Sequence, residues 1–125
     1  MVKGARDQGE RRTQSEYARL RPLAKEEPWR MFRINETQFL RLVIDFATKH
    51  GWLVYHVAKT RFRKRGFPDL LMLRHGRLVV VEIKSTEGKL HPEQEVWLRE
   101  FGKCKAVEVY LWRPSDWGSI QELLQ

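Results

Sequence analysis

Apolar residues recur at three-and-four spacing after Asn35: Phe39, Leu40, Val43, Phe46 and Ala47 mark one face of a helix that Gly51 ends. Asn35 stands at the N-cap position with Gln38 three residues on, the arrangement of a capping box. The pattern then changes. Aromatic and β-branched residues make 52–57 a strand, 70–73 and 78–84 read as two more, and His75-Gly76 between them predicts a β-hairpin. His91-Pro92 opens a second helix with Val96, Trp97, Leu98 and Phe101 on its apolar face and Gly102 as its stop. Residues 107–112 form a last strand, and Ser115 caps a short final helix through Leu124. The order α-β-β-β-α-β-α predicts an α/β fold, a mixed central sheet flanked by helices.

Before residue 34 the periodicity is missing. Charges of both signs intersperse there with few apolar positions, and Pro22 and Pro28 punctuate the stretch. Residues 1–33 therefore read as a basic N-terminal arm, with eight Lys and Arg against five Asp and Glu in the first thirty positions, and 34–125 as the folded domain. A length of 125 residues with 42% apolar content supports one core and not two. The single cysteine, Cys104, forms no intramolecular disulfide and no thiolate metal cluster, which fits a reducing, intracellular and cytoplasmic setting. No apolar run approaches the roughly 20 residues a bilayer demands, and residues 1–10 carry no apolar signal region. The net charge of +8 adds a partner class: a polyanion, with nucleic acid ahead of an acidic membrane surface.

The hairpin brings in chemistry. With the turn at His75-Gly76, Leu71 faces Val80, and Asp69 comes opposite Glu82. Opposed side chains on an antiparallel pair have Cβ atoms about 4.5–5.5 Å apart, so two carboxylates meet, which is unfavourable without a cation. Alternation puts Lys84 on the face of Glu82 and turns Ile83 away. Two carboxylates, joined by the Ile83 backbone carbonyl, suit a hard divalent ion such as Mg²⁺ (or Mn²⁺), which keeps several waters and takes substrate phosphate as a further ligand. The adjacent lysine can steady charge developing on a phosphate oxygen. Each element is ordinary alone; their convergence in a cationic chain points to phosphodiester hydrolysis.

Residues 59–65 carry five positive charges, Lys59, Arg61, Arg63, Lys64 and Arg65, and no negative one just before this site. They read as contacts to the DNA backbone, which position a substrate without reading its sequence, and His56 at the end of the preceding strand either touches a DNA phosphate or caps that strand. Phe62 and Phe67 either pack this loop down or stack on an unpaired base. Glu36 shares a helical stripe with Leu40, Val43 and Ala47, so that face carries one acid at its N-terminal end, where the helix dipole alone would also favour it.

Gly66-Phe67-Pro68-Asp69 followed by Glu82-Ile83-Lys84 resembles the Pro-Asp and Glu-x-Lys motif of the PD-(D/E)XK nuclease superfamily. Glu36, Phe39, Val81-Glu82-Ile83-Lys84 and Pro92-x-Gln94-x-x-Trp97 narrow the resemblance to the VRR-NUC (virus-type replication-repair nuclease) family, over roughly residues 34 to 112. The resemblance implies a restriction-endonuclease-like core, with Asp69, Glu82 and Glu36 holding the metal, Lys84 activating, and Gln94 beside the site orienting a water, a phosphate or Lys84. It is similar to the small stand-alone domain of phages and bacteria, so a phage or prophage origin in a bacterial host is expected, rather than the nuclease module of the larger Fanconi-associated enzyme. It further implies a homodimeric, structure-selective endonuclease acting on branched DNA, such as a four-way (Holliday) junction. A flap or nick endonuclease and a non-catalytic DNA-binding module are the alternatives.

Overall fold

A computed structural model describes residues 33–125; the expected N-terminal arm lies outside the described residues, apart from Arg33 at its end. The elements are α1 (Glu36–Lys49), β1 (Leu53–His56), β2 (Leu70–Arg74), β3 (Arg77–Ile83), α2 (Pro92–Gly102), β4 (Val107–Trp112), a 3-10 turn (Pro114–Asp116) and α3 (Trp117–Leu124). This is the expected order and a mixed four-stranded sheet, β1-β2-β3-β4, antiparallel except for the parallel β3–β4 pair.

Local chemistry accounts for the boundaries. Asn35 Oδ1 accepts from the Gln38 N–H at 2.8 Å and Gln38 Oε1 accepts from the Asn35 N–H at 3.0 Å, which satisfies two amides at the start of α1. The β2–β3 turn holds His75 and Gly76 at φ 49° and 75°, the left-handed pair that a two-residue hairpin requires. This pins the register: Arg74 pairs with Arg77, Leu73 with Leu78 and Leu71 with Val80, as the sequence predicts.

α1 lays Phe39, Leu42, Val43, Phe46 and Ala47 against Leu70 and Met72 of β2 and Val79, Val81 and Ile83 of β3, with α3 adding Trp117, Ile120 and Leu124. The core thus uses alternate positions on each strand and leaves Val80 and Glu82 to the other face. Three expectations are corrected. Trp52 precedes β1 and belongs to the core, its indole N–H donating to the Leu124 carbonyl at 2.9 Å. Ser115 does not cap α3, because Pro114 starts a 3-10 turn in which Asp116 Oδ2 takes the Arg113 N–H at 2.8 Å. Val96, placed on the apolar face of α2, is exposed, since α2 leans on the sheet edge with Trp97, Leu98 and Phe101 only half-buried.

Candidate active site

Asp69 lies one residue before β2 and Glu82 one residue before the end of β3, so the hairpin register continues to the acid pair beyond its last ladder rung. Asp69 Oδ2 is fixed by the Ile83 N–H at 2.8 Å, and its own backbone carbonyl accepts from the Val57 N–H at 2.9 Å. Asp69, Glu82 and Lys84 are all buried, at 4%, 2% and 7% exposure, a placement that ionisable groups adopt only when paired. The Lys84 ammonium stands 3.6 Å from Glu82 Oε2. Its backbone N–H donates to the Trp112 carbonyl at 3.0 Å, extending the β3–β4 pairing under the site.

The electrostatics are asymmetric. Burial first, and then the Asp69 carboxylate, push the Glu82 carboxyl up to about 8, against the opposing pull of Lys84 and Arg63. Glu82 Oε1 is buried without a hydrogen-bond partner. An acceptor oxygen left unmatched inside a protein costs about 1–3 kcal/mol, so it fits a ligand that supplies positive charge. Among the described residues no group of three or more His, Cys, Asp or Glu side chains is gathered for a metal. The two carboxylates are oxygen donors of the kind that could hold a hard cation such as Mg²⁺ or Mn²⁺.

Gln94 comes to the site through its helix. In the first turn of α2 its Oε1 accepts from the His91 N–H at 2.9 Å, which leaves the amide nitrogen facing outward to donate to Glu82 Oε2 at 2.8 Å. In this arrangement Gln94, expected beside the site, holds the Glu82 carboxylate. Glu36 lines a cavity of about 290 Å³ with Asp69, Ile83, His56 and Lys59, and pairs with Lys59 at 3.4 Å. It thus shares the cavity wall with Asp69 and Ile83, while its ion pair is with Lys59.

The basic loop divides. Arg61, Phe62, Lys64 and Arg65 are exposed, Phe62 at 84%, with the Arg61 guanidinium 4.8 Å from the Phe62 ring centre. Arg65 pairs with Glu93 at 3.5 Å and its carbonyl accepts from the Trp97 indole. Phe67 stacks edge-on against Trp97 and lies near Phe101, which settles its role as packing. Arg63 turns inward: at 11% exposure it donates to the carbonyls of Val57 and Phe67 and stands 3.6 Å from Asp69 Oδ1. Arg63, expected with its neighbours as a contact to the DNA backbone, is held instead by carbonyls that only the folded loop brings together.

Two further residues shape the site. Gly66, at φ +84°, sits where any Cβ would lie 2.6 Å from the Glu93 backbone, so it lets the loop press on α2 just ahead of Asp69. Arg113 donates to the Ser85 and Gly88 carbonyls at 2.7 and 2.6 Å and ties down the loop that follows Lys84. The Gly-x-Pro-Asp spacing was a legible signal for the first; nothing local announces the second. Residues 9–113 match the VRR-NUC domain family, so the match extends further toward the N-terminus than the resemblance read from the motifs. No curated protein and no solved structure matches the chain significantly.

Proposed function

Because the chain belongs to the VRR-NUC family of nucleases, for which DNA is the substrate, we propose that it is a divalent-cation-dependent, structure-selective endodeoxyribonuclease resembling the Holliday-junction resolvases. The observation that carries the metal reading is the buried Asp69–Glu82 pair with one oxygen unpartnered and an ammonium beside it. Asp69, Glu82 and the Ile83 carbonyl would hold Mg²⁺ or Mn²⁺, which supplies Lewis acidity toward phosphate and a water acidic enough to attack at neutral pH.

The chain's own residues do the rest. The Ile83 N–H and the Gln94 amide hold the two carboxylates in place. Lys84, restrained by burial, offers its charge to the phosphate oxygens as they gain negative charge during in-line displacement, when one P–O bond forms to water and the other breaks to the leaving strand. Glu36 and His56 border the cavity through which water and phosphate approach. Exposed Arg61, Lys64 and Arg65 grip the flanking backbone. A homodimer would give the two related cuts that symmetric resolution of a junction needs.

Labelled four-way junction, flap and plain duplex, each incubated in Mg²⁺ with the wild type, Asp69→Ala and Lys84→Ala, test this reading. Cutting of the junction by the wild type alone, with junction binding retained in both variants, is expected. Binding without metal-dependent cutting would leave a DNA-binding module, and preferred flap cleavage would remove the resolvase. A monomeric mass by light scattering at cleaving concentrations would remove the dimer.

A further inference from the structure

Arg63 belongs to a loop of exposed cations yet is the one whose charge is spent inside. Its Nη1 donates to the Val57 carbonyl at 3.3 Å and its Nη2 to the Phe67 carbonyl, so the backbone on both sides of the loop holds the guanidinium still. Asp69 Oδ1, at 3.6 Å, is close enough for an ion pair and too far for a hydrogen bond. The carboxylate thus feels the charge while keeping the lone pairs of that oxygen open. Lys84 stands at the same distance, 3.6 Å, from Glu82. Each acid has its own fixed cation.

Resting on the nuclease reading, we infer that Arg63 is a positioning residue for Asp69: a built-in counter-cation that steadies the acid pair before metal arrives and weakens the site's hold on a divalent ion. Even with both acids ionised, two immobile positive charges would balance them, so a cation entering alone meets no net attraction. A DNA phosphate adds the missing negative charge. The site is then disposed to load metal with its substrate rather than ahead of it. Because the guanidinium is anchored by carbonyls and not by Asp69, it stays in place when a cation takes Oδ1.

Calorimetric titration of the full chain with Mn²⁺, without DNA, tests this in wild type, Asp69→Ala, Arg63→Gln and Arg63→Lys. Weak binding by the wild type that Asp69→Ala abolishes tests the metal site itself; binding by neither the wild type nor Arg63→Gln would fell the site and the counter-cation together. Given that binding, Arg63→Gln should take Mn²⁺ about tenfold more tightly, the order expected when a unit charge at this range no longer opposes the ion. It should also melt at a lower temperature in chelator. Arg63→Lys, which keeps the charge but not the fork, should stay near the wild-type affinity. Equal or weaker binding by Arg63→Gln, or an equal shift in both variants, overturns the counter-cation and leaves the nuclease reading standing. Side-chain NMR of the wild type supplies a check independent of variant folding: the Arg63 guanidinium signals should move with Mg²⁺ while retaining hindered rotation. Signals that ignore Mg²⁺, or that become free, refute it.

Discussion

Glu82→Gln should abolish cleavage in Mg²⁺ and yet, in the metal-free protein, stabilise the fold, increasingly so as pH rises. The Glu82 carboxyl is pushed from 4.5 up to about 8 by burial and by Asp69. Its pKa in the folded state lies above that in the unfolded chain, so the proton it carries stabilises the fold fully below the unfolded value. That contribution is lost as pH climbs toward about 8. Across the window the native state holds a proton that the unfolded chain has released, and stability falls by about 1.4 kcal/mol per pH unit. Between about pH 5 and about pH 8 this gives at most about 4 kcal/mol, and about half that if water reaches the site on ionisation. An uncharged amide has the same shape, keeps an oxygen to accept from Gln94 and has no charge to bury, so the variant should lack this slope. Urea denaturation in chelator, read by the fluorescence of buried Trp52, Trp112 and Trp117, measures it. Comparing the two proteins cancels the titrating groups remote from Glu82. Parallel pH dependences would refute a strained Glu82, and with it the reason for expecting a cation there.

Lys84→Met should reduce the cleavage rate by about 10²–10³-fold while leaving junction affinity within a small factor, measured by single-turnover cleavage beside a binding titration, because the loss is of charge stabilisation during displacement. Phe62→Ala should weaken binding to DNA with unpaired bases by about 1–3 kcal/mol, the worth of one stacked base, and leave duplex binding unchanged in fluorescence anisotropy. Equal losses on both substrates would make Phe62 a loop residue only. Gly66→Ala should destabilise the domain by about 1–3 kcal/mol by thermal denaturation, since both the positive φ and the 2.6 Å approach to Glu93 exclude a Cβ, and should slow cutting by moving Asp69. Arg74→Ala should cost about 2–4 kcal/mol in the same assay, because Arg74 donates to His50, Leu124 and Gln125 carbonyls and covers the Trp52 ring, tying the C-terminal end to the sheet.

What the amino-acid sequence determined by itself is what short-range rules govern. The capping box at Asn35 and the left-handed pair His75-Gly76 are satisfied within a few residues, and a two-residue turn leaves one register for β2 and β3. The meeting of Asp69 and Glu82 follows from that register, so the candidate metal site was legible before any tertiary contact was known. The rest depended on partners distant in the chain or on the path of an irregular loop. Arg63 reads as one more surface cation until the carbonyls of Val57 and Phe67 close around it. Gln94 meets Glu82 only because α2 is docked by Phe67, Trp97 and the bare backbone of Gly66. Hydrogen-bond and packing partners of this kind are chosen by the relative placement of whole elements, which local periodicity does not encode. Position along the strands thus put the acids together, while tertiary packing decided which cations and which amide hold them.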